Sequence, residues 1–332
     1  MSSAHTGQVV YFGKLPCRGD FVRSVAGSAL IQSLDQWMSQ TMEQLADDPR
    51  WKLIYDAAQP VHFIIQGAQG PAGLVGHLAM SQDASGRRFP FVMAAAFDAP
   101  ESEPLFPLSP MALQPVWMTL ESQVGRALQA EDFGQLQASL TSMRLSLEDG
   151  PDGRRLDWRE RYARFTRDTS LEQFEAMVSP SGALPVSMRQ TLLALGLLLQ
   201  PVLTQGPAGL SKGLVLPLPA EATTLVSALT LWVDLVGRFF KRTHAEIALF
   251  VTRHGGCPVL VIGFQGASAT TLRSVIDDGA CRVDNVAVTD AVWVEDWIAG
   301  DYGLRKLSNH LLAPTLSLAA ALDLFREIIL GE

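Results

Sequence analysis

Cysteine is scarce in this chain: 332 residues contain three, Cys17, Cys257 and Cys281. An odd, sparse set with no C-x-x-C pair makes no disulfide framework and indicates a reducing compartment. Long apolar runs are also missing. The most apolar stretches, residues 191–199 and 225–240, fall short of the roughly 18 residues that a bilayer span requires. The second of them carries Asp234 and Arg238. Both read as buried helices. The opening Met-Ser-Ser-Ala-His-Thr-Gly-Gln has neither a basic segment nor an apolar one, so no signal peptide and no membrane insertion are expected, and the localisation reads as cytoplasmic. Positive charge is short as well. Lys and Arg number 26 against 34 Asp and Glu, a net charge of -8. That balance favours solubility and disfavours a nucleic-acid backbone as partner.

The motifs of common chemistries are absent too. Gly13-Lys14 suggests a phosphate loop, but the motif needs glycine where Gln8 stands and Ser or Thr where Leu15 stands. Residues 206–213 hold similar ingredients in the wrong order and read as a loop entering a strand. No G-x-G-x-x-G follows a strand, and no G-x-S-x-G marks a serine nucleophile. The six histidines form no H-E-x-x-H and take no ligand spacing with cysteine, so neither a metal nor another cofactor is expected. Two groups keep an enzyme open as an alternative. Cys17 sits beside Arg18 and near Lys14, and positive neighbours lower a thiol pKa. His62 and His77 fall on the two strands of one expected hairpin, where they are either half-buried strand residues or a catalytic pair. Catalysis would require these side chains to meet in one concave pocket with an oriented base.

What the chain does have is a hydrophobic content of 48%, enough for a substantial core. Residues 9–12 are β-branched and aromatic and read as a strand, ended by Gly13 and Pro16. Ser28 is a candidate cap for a helix whose apolar face runs through Leu30, Ile31, Leu34, Trp37, Met38, Met42 and Leu45, stopped at Asp47-Asp48-Pro49. Strands are expected over 61–65, 74–80 and 89–97, the first two forming a glycine-loosened hairpin. Helices are expected from Ser109 onwards and again after Asp132. Residues 148–153, polar with two glycines and a proline, mark a domain boundary between 1–148 and 154–332. The second part shows a charged segment over 154–167 with Trp158, Tyr162 and Phe165, a capping box at Ser170-x-x-Gln173, and helices over 186–199 and 225–240. A strand over 213–218, a hairpin over 247–264 and a last helix after Leu316 complete it. The fold class is therefore α/β of the α+β type: mostly antiparallel sheets packed with helices, in two β-α-β-β-α-like halves.

The run Tyr11-Phe12-Gly13-Lys14-Leu15-Pro16, then Arg18-Gly19-Asp20-Phe21-Val22, resembles the start of the TagF (ImpM) family, accessory proteins of bacterial type VI secretion. Trp37 in the following helix, the strand and glycine-rich turn after Pro60, and Gly86-Arg87-Arg88-Phe89-Pro90 match that family in order. The resemblance covers residues 8–130, and the later half matches loosely. The family's Asp-x-x-Gly-Arg approach to the second motif stands here as Asp83-Ala-Ser-Gly86-Arg87. The resemblance implies regulation rather than catalysis: a post-translational restraint on assembly or firing of the secretion apparatus, exerted by binding its forkhead-associated scaffold protein. The alternative is a structural component of the apparatus. An Arg–Asp bridge between the motifs is expected, with Asp20 as acceptor and Arg87 or Arg88 as the fork. Such a bridge would serve either to pin the loops together or to present a charged interface.

Overall fold

The opening strand carries four consecutive apolar residues, Val9, Val10, Tyr11 and Phe12, and all four are buried. In a strand, neighbours point to opposite faces, so this run implies a sheet covered on both sides. The computed structural model has that architecture. It describes residues 5–98, 106–146, 158–179, 185–289 and 291–332. The strands in it are β1 (His5–Gly13), β2 (Val22–Arg23), β3 (Val61–Gly67), β4 (Ala72–Ala79), β5 (Phe91–Asp98), β6 (Arg144–Ser146), β7 (Gly213–Pro217), β8 (Glu246–His254), β9 (Cys257–Gly263) and β10 (Asn285–Ala287). They form a single sheet in the order β10-β7-β9-β8-β3-β4-β5-β1-β2, with β6 also on β1. Every pairing is antiparallel except β10 with β7.

The helices are α1 (Ser28–Ala46), α2 (Trp51–Ala57), α3 (Ser109–Gln129), α4 (Phe133–Ser142), α5 (Trp158–Asp168), α6 (Leu171–Val178), α7 (Met188–Gln205), α8 (Ala222–Phe240), α9 (Ala269–Ile276), α10 (Asp278–Asp284), α11 (Glu295–Ile298), α12 (Tyr302–His310) and α13 (Leu318–Phe325). They divide between the faces of the sheet. Val10, Phe12, Phe63, Ile65, Ala94 and Phe250 share one core with Leu34, Trp37 and Met38 of α1 and Leu272 and Val275 of α9. Val9, Tyr11, Ile64, Met93 and Leu249 share the other with α3, α4, α6, α7, α8, α12 and α13. Tyr11 and Val10, one residue apart, thus sit in different cores, as the period of two demands.

The halves meet in the middle of the sheet. β3 pairs with β8 over six positions, Phe63 opposite Phe250 among them. Trp37 crosses the same junction: its indole lies 5.5 Å from the Phe63 ring and 6.1 Å from Phe250, and its Nε1–H donates to the Ser268 carbonyl at 3.1 Å. The boundary expected over 148–153 lies outside the described residues.

Several helix signals act as the sequence suggests. Ser170 and Gln173 form the reciprocal capping box, and Asp132 accepts from the Gly134 N–H. Others differ. Ser28 is the first helical residue of α1, and the cap position is Gly27 at φ 77°, a left-handed value that glycine tolerates. α7 runs past Pro201 to Gln205 rather than stopping near residue 199. α2 was not anticipated, because seven residues with one buried member, Tyr55, carry too little periodicity. α8 is 19 residues long, several more than its apolar run suggests, and meets the length and composition of a bilayer span. Here it is a core helix: Trp232, Val233, Leu235 and Phe240 are all buried.

Candidate functional site

The two family-like motifs meet at the start of the sheet. Gly13 pairs with Phe91 across β1 and β5 and adopts φ 135°. A Cβ there would strike the Pro90 carbonyl oxygen and come within 2.8 Å of the Phe91 Cα. The glycine of the first motif is therefore required by the backbone of the second. Gly13→Ala is expected to cost about 2–4 kcal/mol of stability, seen as a lower urea midpoint at unchanged slope.

From Gly13 the chain turns into a loop over 14–21. Its anchor is Asp83, whose side chain is excluded from solvent. Lys14 Nζ reaches Asp83 Oδ2 at 3.0 Å, with 9% of the lysine side chain exposed. Ser85 donates to Oδ1 from its amide at 3.0 Å and its hydroxyl at 2.7 Å; Arg87 adds its amide at 3.0 Å and its Nε, to Oδ2, at 2.7 Å. Burial by itself would raise this carboxyl. The Ser85, Arg87 and Lys14 hydrogen bonds outweigh it and hold the group well below the usual carboxylate range. Backbone contacts join the loops further: Ala84 N–H to the Arg18 carbonyl at 2.8 Å, and Arg87 Nη2 to the Gly19 carbonyl at 2.6 Å. Behind them the Ser81 hydroxyl donates to the Lys14 carbonyl at 2.6 Å. The Tyr55 hydroxyl donates to the Ser81 carbonyl at 2.8 Å and accepts its amide at 2.9 Å. Burial raises the Tyr55 hydroxyl pKa, which keeps that proton in place.

The bridge expected from Asp20 is not formed. Asp20 is exposed and accepts the N–H of its neighbour Phe21 at 2.8 Å. Arg87 goes to Asp83, and Arg88 forms a two-pronged pair with Asp56 of α2 at 2.7 and 2.6 Å. The reason is local. Asp83 opens a tight turn that includes Gly86 at φ 80°, and this turn folds the Arg87 amide and guanidinium back onto it. Asp20 has no such geometry to either arginine.

What remains outward is specific. Phe21 is 42% exposed, yet its ring is set by Phe12 at 5.4 Å, stacked, and by Phe89 at 4.9 Å, edge-on. Lys14 Nζ lies 5.1 Å from its centre. Arg18, Gly19 and Asp20 are exposed beside it, Arg18 over the Phe133 ring at 6.0 Å. Pro16 is exposed as well. Phe89 and Pro90 are buried, and Trp37 is a core residue of the half-to-half junction. Ser81 and Tyr55 did not stand out in the sequence, and Asp83 did so only as the start of the second motif, with no role assigned. Asp83-Ala-Ser85-Gly86 was the available signal, an aspartate opening a turn closed by serine and glycine.

The alternative chemistry has partial geometry. His62 and His77 stand opposite each other on β3 and β4 with Nδ1 atoms 3.0 Å apart. Trp117 packs on His62 at 5.3 Å, and Glu121 lies 3.7 Å from its Nε2. Cys17 is half-buried and makes no hydrogen bond to either histidine among the described residues. Among those residues no group of three or more His, Cys, Asp or Glu side chains is placed to hold a metal ion.

Residues 10–143 match the family model of the TagF N-terminal domain, type VI secretion system-associated. No curated protein matches the chain. One similar solved structure is PA0076 from Pseudomonas aeruginosa PAO1, 22% identical, covering 44% of this chain and 74% of that one with a TM-score of 0.32.

Proposed function

Because residues 10–143 of this chain match the TagF N-terminal domain model of type VI secretion-associated proteins, we propose that it is a cytoplasmic, non-enzymatic regulator that restrains assembly or firing of the secretion apparatus. It acts by binding the forkhead-associated scaffold protein through the surface of the first motif. One observation carries this reading: the inner residues of the loop, Lys14 and its partner Asp83, are consumed in holding it, while Arg18, Asp20 and Phe21 are fixed from behind and left exposed. A preorganised, outward patch of one aromatic and two opposite charges suits protein recognition, where aromatic and arginine anchors dominate.

The test is co-purification with the forkhead-associated protein of the same organism at ordinary salt, in wild type and Asp20→Ala. Because among the described residues the Asp20 carboxylate accepts only a neighbouring amide, the variant is expected to melt within a degree or two of wild type and to bind at least about tenfold more weakly. A folded wild type that captures no scaffold protein sinks the proposal. Stoichiometric capture of sheath or baseplate components instead would assign the protein to the apparatus itself.

A further inference from the structure

A second charged feature lies on the far side of the molecule, at a cleft of about 610 Å³. Its centre is Asp234 of α8, 2% exposed. Three elements converge there. Tyr162 of α5 donates its hydroxyl to Asp234 Oδ2 at 3.0 Å. Arg238, one turn along α8, reaches Oδ1 at 2.8 Å. Arg326, just past α13, reaches Oδ2 at 3.1 Å. Arg159 and Lys241 also line the cleft, so among the described residues four cations and one buried carboxylate share it in a protein whose net charge is -8. Phe106, Pro107 and Leu108 supply an apolar wall.

Asp234 is shared between Arg238 and Arg326, and Arg326 Nη1 also pairs with Asp323 Oδ1 at 3.0 Å. Among the described residues the buried Nε atoms of Arg238 and Arg326 have no hydrogen-bond partner. The remaining guanidinium capacity of Arg238 is turned to Glu332, whose Oε2 lies 3.4 Å from Nη1, while Glu332 Oε1 takes Lys241 Nζ at 2.8 Å. A carboxylate from the chain itself thus already spans two of the cations. Lys241 and Arg238 hold that carboxyl below its ordinary pKa. Its side chain is 40% exposed, and it meets the cleft through two of the residues that line it, Arg238 and Lys241.

We propose that this cleft binds a small oxyanion-bearing ligand, a carboxylate or phosphate with a compact apolar part, and that Glu332 occupies the head-group position until the ligand displaces it. The volume is within the usual range for small-molecule sites, about 300–1,000 Å³. Paired arginines are suited to planar and tetrahedral oxyanions, which they grip with two parallel N–H bonds. This reading is independent of the first-motif surface, which lies on another part of the fold.

The test is calorimetric titration at 0.15 M NaCl with citrate and, separately, inorganic pyrophosphate. Wild type, Glu332→Gln and the double variant Arg159→Gln/Lys241→Gln would be compared. Neither Arg159 nor Lys241 touches Asp234, so the double variant keeps the buried cluster; an unchanged melting temperature checks this. Wild type is expected to bind at least one anion with Kd below about 1 mM, Glu332→Gln about 3–10-fold tighter, and the double variant at least about tenfold weaker. The preferred anion tells a carboxylate head group from a phosphate. Absence of saturable binding by both wild type and Glu332→Gln overturns the proposal. So does binding that the double variant leaves unchanged, which would place the anion elsewhere.

Discussion

Asp83→Ala is expected to release both motif loops at once, lowering the melting temperature by roughly 4–7 °C for a chain of this length and making residues 14–21 sensitive to protease. The carboxylate accepts from Ser85, Arg87 and Lys14 together. Arg87 is largely exposed and returns to water when its partner goes. Lys14 does not, because its side chain is 9% exposed, and an ammonium left without its counter-ion in such a place is strongly unfavourable. The double variant Asp83→Ala/Lys14→Met should therefore recover part of the loss, since methionine keeps the apolar stem and removes the stranded charge. A double variant as unstable as the sum of the singles would mean that the pair does not couple. The acid limb follows from the same bond. The folded-state carboxyl titrates below its unfolded value, so its contribution is complete above about pH 4 and declines as pH falls below that.

The larger pH effect is expected at milder acidity. Burial lowers His62 to about 4, and burial together with the His62 charge lowers His77 to about 3. In the unfolded chain both titrate near 6.5. Below that pH the unfolded chain takes up two protons that the folded protein refuses, so stability falls as pH drops from about 6.5 towards 4. In the folded state one neutral ring donates to the other across 3.0 Å; two imidazolium rings would set donor against donor. Glu121 at 3.7 Å from His62 offsets some of the cost. A loss of about 3–5 kcal/mol over this window is expected, measured as urea midpoints at pH 7, 6, 5 and 4. The His62→Gln/His77→Leu variant should flatten the curve between pH 6.5 and 4. An equally steep curve in that variant would show that other groups govern the window.

The pattern of legibility follows from where each signal resides. The opening strand, the α1 stripe from Leu30 to Leu45 and the Ser170 capping box are local, and local rules describe them. The glycines at 13 and 86 sit in a recognisable motif, but the need for Gly13 comes from Pro90, almost eighty residues away. The acceptor in the motif network was misplaced for the same reason. Asp20 and Asp83 are equally plausible on charge alone, and only the turn that folds Arg87 back onto Asp83 distinguishes them. The second cluster was harder still. Tyr162 looks like helix packing and Asp234 like a blemish in an apolar run; their 3.0 Å contact joins residues 72 positions apart. Nothing in either segment announces the other.

The pairing of β3 with β8 bears on how the protein came by, and keeps, its two-part form. Each half contributes to the shared sheet a strand whose outer edge is satisfied only by the other half. Parted, each would present a bare row of amides and carbonyls beside Phe63 or Phe250, an invitation to pair with any strand that passes. Apart, each half would need another strand to close that edge. A change of sequence at the seam, down to the Trp37 indole that bridges it, therefore meets packing from both sides at once.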